Sequence, residues 1–413
     1  MPQLDPVVKV PGRPDPFWEL ERELAELERA GLRRSCRRIE AVEGGRIRVD
    51  GRWRVHLGSN NYLGLTAHPE VVAAAVEASR RWGAGSGSAR LVGGTFAVHE
   101  ELEEELARFK QAEAAVLFST GYMANLSVIT ALMGRGDLVV CDRLAHASLI
   151  DGCRLSGADL RVYPHADAGR LDEILRRRRG RYRRLLVVTE GVFSMDGDVA
   201  PLPQVLEIVR RHEGWLLLDD AHGTGVLGDA GRGTLEHFGI PPEGILQMGT
   251  LSKALGSLGG YVAGPRAVVE TLVNRARSFI YTTAPAPANA AAALAALRVI
   301  RREPEWRRRL WENTRRWTEG LRRIGWPPIS EQSPIVPVAT GSVHRTMEVA
   351  QELLELGVYA PGIRPPTVPA GSARIRTSVT ALHTEEELTE ALKAFETIFT
   401  VTGAEATLKK AGR

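Results

Sequence analysis

The stretch Gly249-Thr250-Leu251-Ser252-Lys253-Ala254-Leu255-Gly256-Ser257-Leu258-Gly259-Gly260 places one lysine among hydroxyl-bearing and small residues, between two apolar runs (245–248 and 261–263) that we interpret as strands. Burying an ammonium group costs free energy unless the group is paired or has lost its proton. A lysine that can lose its proton is what Schiff-base chemistry with a carbonyl cofactor requires. The pattern lacks the Gly-Lys-Ser/Thr step of a phosphate-binding P-loop. This stretch alone leaves two interpretations of Lys253 open, a reactive lysine and a solvated loop lysine.

Lysine is rare in this chain, and its rarity bears on that choice. Of the 54 Lys and Arg residues 48 are arginine, and the six lysines are Lys9, Lys110, Lys253, Lys393, Lys409 and Lys410. A chain that uses arginine for surface charge has little general reason to place a lysine between two buried strands.

Composition limits the class of protein. A chain of 413 residues is too long for one simple core, so we expect one large domain and a smaller one. Arginine runs at 176–179, 181–184 and 307–309 raise nucleic-acid binding as an alternative. These runs lie on amphipathic helical patterns, and the net charge is only +4, which favours a solvated helix face. We therefore expect no nucleic-acid partner.

The cysteines and the N-terminus indicate a compartment. Cys36, Cys141 and Cys153 are widely spaced and include no CxxC pair, which argues against a disulfide framework or a zinc site. Residues 1–16 are polar and proline-rich, unlike a signal peptide, and no run approaches the length of a membrane span. We expect a cytoplasmic protein with no bound metal and no membrane partner.

The order of elements predicts an α/β fold in three parts. Residues 1–58 should form a helix at 17–32 and a hairpin whose strands, 46–49 and 52–57, flank Asp50-Gly51. Residues 59–300 should form the large domain, because from residue 96 short apolar strands alternate with helices, as in a mainly parallel sheet covered on both faces. Residues 301–413 should form a smaller α/β domain.

Polar residues follow the predicted strands at the edge where parallel sheets bind ligands. Asp219 ends one strand, and a carboxylate there would hold a pyridine nitrogen protonated, although a structural cap or ion pair is the alternative. His222 and His146 follow strand ends, and either could instead be a core or capping histidine. The turn at 119–122 opens a helix, whose free N–H groups suit a phosphate. With Lys253, this combination predicts pyridoxal 5'-phosphate (PLP).

Several motifs occur in an order and at spacings that resemble one enzyme family. They are Ser59-Asn60-Asn61-Tyr62-Leu63-Gly64, His146-Ala147-Ser148, Thr189-Glu190-Gly191-Val192-Phe193-Ser194-Met195-Asp196-Gly197-Asp198, Asp219-Asp220-Ala221-His222-Gly223-Thr224-Gly225 and Thr250-Leu251-Ser252-Lys253. From about residue 32 to residue 399 the chain resembles the α-oxoamine synthases, which are PLP enzymes of fold type I. The resemblance implies a PLP-dependent C-acyltransferase that condenses an amino acid with an acyl thioester and releases CO2. It also implies a homodimer whose active sites lie between the two chains.

The resemblance implies a role for individual residues. Lys253 resembles the lysine that forms the Schiff base with PLP and later removes the α-proton of the substrate. Asp219 resembles the partner of the pyridine nitrogen, and His222 the donor to the ring hydroxyl. His146 resembles the histidine that stacks on the cofactor ring and contacts the substrate. For the cofactor, the resemblance implies that Gly121, Tyr122 and Thr250 contact the phosphate, that Ser194 contacts the cofactor, and that Thr282 or Thr283 reaches the phosphate of a neighbouring subunit. For the substrates, it implies that Arg376 and Asn60 contact the amino-acid carboxylate. Arg33 and Thr367 resemble residues that contact the acyl donor.

Within the family, Ile363-Arg364-Pro365-Pro366-Thr367-Val368-Pro369-Ala370-Gly371 resembles the branch that serves biotin synthesis. That branch joins L-alanine to pimeloyl-CoA, or to a pimeloyl-carrier protein, and gives 8-amino-7-oxononanoate, CoA and CO2. The segment 146–152 resembles the glycine C-acetyltransferase branch equally well. Glycine with acetyl-CoA, or an enzyme that uses both substrate pairs, is therefore the alternative.

Overall fold

The computed structural model describes residues 17–411, and the side chains of residues 17–398. The expectation that residues 1–16 form no signal peptide lies outside the described residues. Among those described, no helix is both long enough and apolar enough to cross a membrane.

Helices and strands alternate along most of the described chain. The strands are β1 Ala41–Glu43, β2 Arg46–Val49, β3 Arg52–His56, β4 Ala114–Phe118, β5 Leu138–Asp142, β6 Asp159–Tyr163, β7 Leu185–Glu190, β8 Trp215–Asp219, β9 Ile245–Thr250, β10 Gly260–Gly264, β11 Ile335–Gly341, β12 Val358–Tyr359, β13 Gly362–Ile363 and β14 Ala373–Ser378. The α-helices are α1 Trp18–Arg29, α2 Pro69–Trp82, α3 Ala97–Phe109, α4 Gly121–Leu132, α5 Ala147–Leu155, α6 Ala168–Arg178, α7 Leu202–Arg211, α8 Thr234–His237, α9 Arg266–Arg275, α10 Arg277–Ile280, α11 Pro287–Arg302, α12 Glu305–Arg323, α13 Val343–Glu355 and α14 Glu385–Ala411.

A seven-stranded sheet with the order β4-β10-β9-β8-β7-β5-β6 forms the centre of the molecule. The pairs from β9 to β6 are parallel, whereas β10 runs antiparallel to both of its neighbours. Side chains alternate between the two faces of a strand, and on β4 Leu117 joins one core cluster while Val116 and Phe118 join another. Both faces are therefore buried under helices, and the predicted mainly parallel α/β sheet is confirmed.

The strands beside Lys253 are longer than the apolar runs suggest. β9 continues through Gly249 to Thr250, and β10 begins at Gly260, because these two ends pair with each other in the antiparallel register. The loop that carries Lys253 therefore spans only residues 251–259 and starts directly at the edge of the sheet.

Two smaller sheets lie outside the central one. The three-stranded sheet has the order β11-β14-β13, and the four-stranded sheet has the order β1-β2-β3-β12. In the latter, the predicted hairpin of β2 and β3 extends through a parallel pairing of Val55 with Val358. Val55 also shares a core cluster with Trp317 and Phe395. The N-terminal hairpin thus belongs with the small C-terminal part in space, while the domain boundaries after residues 58 and 300 stay a prediction.

Candidate active site

A cavity of about 220 Å³ opens at the carboxyl ends of the parallel strands. Glu190 and Asp219 end β7 and β8 at its wall, Thr250 ends β9, and His146 follows β5. The structure brings seven of the sequence-predicted site residues to this cavity: Gly121, Tyr122, His146, Asp219, His222, Thr250 and Lys253. These groups meet at the carboxyl ends of the parallel strands, which is the edge of the sheet predicted from the sequence.

The Lys253 amine lies 2.9 Å from Nε2 of His222, whose Nδ1 lies 2.7 Å from the hydroxyl of Tyr62. Burial lowers the pKa of Lys253 to about 8, although the Asp219 carboxylate opposes that shift. Burial also lowers the pKa of His222 well below its usual value, and the Lys253 ammonium adds to the effect. A neutral imidazole therefore faces a lysine that releases its proton readily.

Asp219 is buried and held by two donors. The amide of Asn125 donates to its Oδ2 at 2.7 Å, and the backbone N–H of Ala221 donates to its Oδ1 at 3.0 Å. The same Asn125 amide donates to Ser148 Oγ at 2.9 Å, and Ser148 contacts His146 Nδ1 at 2.8 Å. Hydrogen bonds thus link the side chains of Asp219 and His146 through two intermediate residues.

His146 begins α5 as its N-cap. Its Nδ1 accepts a hydrogen bond from the backbone N–H of Ser148 at 3.2 Å, which leaves Nε2 as the protonated nitrogen of the neutral ring. Burial lowers the pKa of His146, and the Asp219 carboxylate partly offsets that shift. The ring of Tyr122 stands edge-on to it at 6.4 Å.

The turn at the start of α4 is a cradle of backbone N–H groups. Thr120 caps the helix by accepting from the N–H of Met123 at 3.1 Å. Gly121 and Tyr122, whose N–H groups have no partner within the helix, line the cavity. A Cβ atom at Gly121 would stand 3.4 Å from Thr250 Oγ1 and 3.0 Å from Met248 Cε, so glycine keeps this approach open. Thr250 Oγ1 itself donates to the carbonyl of Gly259 at 2.8 Å.

Three further predicted residues form a cluster beside the cavity. Arg376 Nη2 donates to Asn60 Oδ1 at 3.1 Å, and its Nε donates to the carbonyl of Ser194 at 2.6 Å. The Tyr62 hydroxyl donates to the same Asn60 oxygen at 3.3 Å. Tyr62 therefore connects the arginine cluster to His222 and so to Lys253.

Of the two predicted acyl-donor contacts, Arg33 lines a separate cavity of about 330 Å³, and Thr367 contacts Arg34 at its wall. Four arginines line it (Arg33, Arg34, Arg37 and Arg364), and its described lining contains no Asp or Glu. Arg34 donates to Thr367 Oγ1 at 3.3 Å, and Arg364 donates to the carbonyl of Arg33 at 2.7 Å. Burial and the charge of Arg34 lower the pKa of Arg364, and its buried Nε has no hydrogen-bond partner among the described residues.

Thr282 and Thr283 do not line the cavity of Lys253 in this chain. The carbonyl of Thr283 accepts from Ser119 Oγ at 3.0 Å, which places it next to the turn that opens α4. This position agrees with the expectation that they act on a neighbouring subunit but does not test it.

The residues present fit PLP. A buried carboxylate, a lysine of lowered pKa and an open helix N-terminus surround one cavity. Two buried side-chain oxygens at its wall, Glu190 Oε1 and Asn125 Oδ1, have no protein partner among the described residues. Buried polar atoms of this kind are uncommon unless another group meets them.

Comparison with known proteins gives the family. The sequence pattern of the family described as aminotransferase class I and II matches residues 54–395. The chain belongs to the class I and II aminotransferase family. The 8-amino-7-oxononanoate synthase of Symbiobacterium thermophilum is 49% identical over 376 residues, which are 91% of this chain and 96% of that protein.

Solved structures of the family have the same fold. A serine palmitoyltransferase from S. paucimobilis with a bound PLP–myriocin aldimine superimposes with a TM-score of 0.88 at 34% identity, covering 94% of this chain and 98% of that one. An 8-amino-7-oxononanoate synthase from Francisella tularensis gives a TM-score of 0.73 at 29% identity, covering 84% and 98%. The predicted fold type I, the resemblance to α-oxoamine synthases and the assignment to PLP-dependent enzymes are confirmed.

Three residues at the site, Tyr62, Asn125 and Glu190, have no role in the sequence-based prediction, although Tyr62 and Glu190 lie within the motifs quoted for the family. Tyr62 was visible as an aromatic within a turn-rich segment, but its contact with His222 lies 160 residues away along the chain. Asn125 follows Gly121 by one helical turn, so the helical period could have pointed it at the same cavity. Glu190 ends a strand, as Asp219 does, which was a usable signal.

Proposed function

We propose that this enzyme condenses L-alanine with pimeloyl-CoA, or with a pimeloyl-carrier protein, and releases 8-amino-7-oxononanoate, CoA and CO2. Extensive identity to a protein named for this product supports the reaction class. The choice of pimeloyl thioester as the acyl donor rests on the cavity lined by four arginines. An acyl chain that ends in a carboxylate supplies the anion that this cavity lacks, whereas acetyl and palmitoyl chains do not.

The chemistry of the cavity supports a carboxylate more than an uncharged chain. Burial and the neighbouring Arg34 guanidinium lower the pKa of Arg364, whereas Arg33 and Arg37 form exposed ion pairs with Glu28 and Asp50. Arginine binds planar carboxylates through two parallel hydrogen bonds, and the unpartnered Nε of Arg364 is one free donor of such a pair. Apolar side chains, including Met347 and Leu354, line the same cavity and suit a chain of methylene groups.

PLP, held by Lys253, Asp219 and the N-terminus of α4, would supply an electron sink for negative charge at the α-carbon of the amino acid. The Lys253 amine, with its lowered pKa, removes the α-proton. The Asp219 carboxylate, whose orientation Asn125 fixes, would keep a proton on the pyridine nitrogen of bound PLP. The His222 imidazole stays neutral and is oriented by the Tyr62 hydroxyl.

Arg376 binds the carboxylate of the amino-acid substrate in this proposal. Its Nε and Nη2 are oriented by Ser194 and Asn60, so the guanidinium plane is fixed before substrate arrives. A fixed plane reduces the entropy lost on binding, which is how positioning groups accelerate a reaction.

The enzyme works as a homodimer with shared active sites in this proposal. A bridge joins Ala89 to Thr283, and the large side chains of Leu91, Val92 and Tyr281, within three residues of its two ends, are exposed. An apolar patch next to the phosphate turn suits a second copy of the chain. Size-exclusion chromatography with light scattering should give twice the mass of the chain, and a monomeric active enzyme would contradict this.

We also propose that the enzyme works in the cytoplasm. Cys36, Cys141 and Cys153 are all described residues, and all three are free thiols. Free thiols are the usual state in a reducing compartment.

The test of the substrate pair is the release of free CoA thiol on a grid of amino acids and thioesters. Alanine, glycine and serine are each combined with pimeloyl-, acetyl-, succinyl- and palmitoyl-CoA, and pimeloyl-CoA methyl ester is added as an uncharged match for the proposed donor. We expect the highest kcat/KM for alanine with pimeloyl-CoA, and a loss of about tenfold or more with the methyl ester, because one charge-assisted contact contributes about 1.5–3 kcal/mol. A preference for glycine with acetyl-CoA, or for serine with palmitoyl-CoA, would overturn the proposed pair.

A further inference from the structure

Glu190 is a buried carboxyl group at the cofactor cavity to which the proposed mechanism gives no role. It is the last residue of β7, its exposed fraction is 2%, and it lines the cavity of Lys253. Its Oε1 is buried and has no hydrogen-bond partner among the described residues. A buried carboxylate is stabilised by the hydrogen bonds that it accepts, and no described residue donates one to this oxygen.

Glu190 is the neighbour of Asp219 on the adjacent strand. The parallel register of β7 and β8 pairs the two residues directly, and residues paired in this way project from the same face of the sheet. Two carboxyl groups therefore end neighbouring strands at one cavity wall. Two buried carboxyl groups on directly paired residues cannot both ionise without a large cost in free energy, as paired carboxyl groups in enzymes show.

The carboxyl groups of Asp219 and Glu190 differ in the hydrogen-bond donors around them. Asp219 accepts from the Asn125 amide and from the N–H of Ala221. The donor that favours an ionised Glu190 is the backbone N–H of His146. Asp219 is thus the group built to carry the negative charge.

The charges that face Glu190 agree with this division. Asp219 on β8 and Asp142 on β5 both disfavour a second anion, and burial is the largest contribution to a pKa of Glu190 far above its usual value. Among the groups that shift the pKa of Glu190, Lys253 is the one cation, and its charge acts to lower that pKa. In the described part of the chain no ion pair joins Lys253 to Glu190.

We propose that Glu190 is an un-ionised carboxylic acid in the working enzyme, a positioning residue at the cavity wall that leaves Asp219 as the only anion acting on Lys253 and on the pyridine nitrogen. The inference rests on the proposed PLP site. An ionised Glu190 would stabilise the Lys253 ammonium, and the lysine would then release its proton less readily. The neutral acid fills the same space without that effect.

The test is Glu190→Gln, which replaces a neutral acid by a neutral amide of the same shape. In the PLP-loaded enzyme we expect the absorbance titration that reports Lys253 and the cofactor to keep its midpoint, and the Kd for PLP to change by less than about twofold. If Glu190 is ionised, the same substitution removes a negative charge beside Lys253 and the pyridine nitrogen. The midpoint then shifts by about one unit or more and PLP binds more weakly, because neighbouring charges shift a pKa by about 1–3 units. That result would overturn the proposal.

A second readout uses the protein without cofactor. Because the pKa of Glu190 is raised in the folded protein, Glu190 ionises above its usual pKa only in the unfolded chain. The unfolding free energy of the wild type should therefore fall as pH rises from 5 to 8. The Gln variant lacks this loss. The difference in unfolding free energy between variant and wild type, measured by urea titration, should grow in favour of Gln over that range. A difference that stays constant with pH would overturn the proposal even if PLP binding were unchanged.

These readouts separate the inference from the proposed function. If Lys253 does not hold PLP, the wild type shows no covalently bound cofactor at all, whereas the urea titration still reports the state of Glu190. If the Gln variant does not fold, infrared difference spectroscopy of the wild type gives the answer directly. A protonated buried carboxyl band at pH 7 supports the proposal, and its absence contradicts it.

Discussion

Lys110 is buried and Lys253 is half-buried at the cavity, and these two lysines occupy neighbouring regions with opposite electrostatics. They stand near two successive carboxylates, Asp220 and Asp219 respectively. Lys110 donates to Asp220 Oδ2 at 2.7 Å, to Thr224 Oγ1 at 3.3 Å and to the carbonyl of Arg232 at 2.5 Å. Burial acts to lower the pKa of Lys110, but Asp220, together with Tyr261 and Glu236, raises it above its usual value.

Lys253 lacks such a set of acceptors. Its described hydrogen-bond partner is His222, a neutral imidazole, and burial lowers the pKa of the amine to about 8. The difference arises because Asp219 ends β8 facing the cavity, whereas Asp220 turns towards the other side and is enclosed there. A Cβ atom at Gly233 would stand 1.8 Å from Asp220 Oδ2. One lysine therefore holds the fold together, and the other remains available for chemistry.

Removing the reactive lysine should have the largest effect. We expect Lys253→Ala to lower turnover by about 10^4-fold, since the loss of a general base alone costs up to about 10^4-fold. Covalent attachment of PLP should be lost while the folded protein persists. The measurements are product formation and the visible absorbance of the cofactor. Wild-type turnover in this variant would contradict the assignment of Lys253.

Removing the structural lysine should reduce stability instead. We expect Lys110→Met to lower the free energy of unfolding by about 3–5 kcal/mol, because Asp220 is left as an unpaired buried charge. Urea unfolding measures the loss. The double variant Lys110→Met/Asp220→Asn is the matched control and should recover part of it. A stable Lys110→Met protein that cannot attach PLP would show that the two lysines had been assigned the wrong way round.

Arg376→Lys should act on substrate binding. Lysine cannot hold a carboxylate through two parallel hydrogen bonds, so we expect KM for the amino acid to rise by about 10- to 100-fold, which corresponds to about 1.5–3 kcal/mol for a charged hydrogen bond. KM for the acyl thioester should change little. Equal increases in both KM values would place Arg376 outside the amino-acid site.

The pH dependence of stability should show the smallest effect, with opposite signs for the two lysines. Lys253 has a lowered pKa in the folded protein, so between pH 8 and the usual lysine pKa only the unfolded chain holds that proton, and stability rises with pH. Lys110 has a raised pKa, so its contribution is full below the usual pKa and is lost only at higher pH.

Without cofactor, the unfolding free energy of the wild type should therefore rise by about 2 kcal/mol relative to that of Lys253→Met between pH 8 and pH 10. Urea titrations of both proteins at each pH measure the difference. A gain that is absent over this range would mean that Lys253 keeps an ordinary pKa.

The sequence was enough to predict the central sheet and the groups at its edge. Strands such as β4 and β8 are continuous apolar runs between helical patterns, and that local signal survives in the fold. Lys253, Asp219 and His222 follow such runs, so their meeting at one edge follows from the parallel topology.

The remaining features depend on long-range contacts that no local pattern reports. β12 has only two residues and forms because β3 lies beside it, about three hundred positions earlier in the chain. The role of Lys110 could not be predicted, because its partner Asp220 differs from Asp219 only in the direction of its side chain. The arginine cavity likewise depends on the approach of Arg34 to Thr367, across 333 positions.

The most direct test of this account is to reduce the PLP-loaded enzyme with borohydride and locate the phosphopyridoxyl group by peptide mass spectrometry. Lys253 should carry the label at close to one group per chain, and Lys110 should remain unmodified, because its ammonium is held by Asp220. A label on Lys110, or on any lysine other than Lys253, would contradict the central claim.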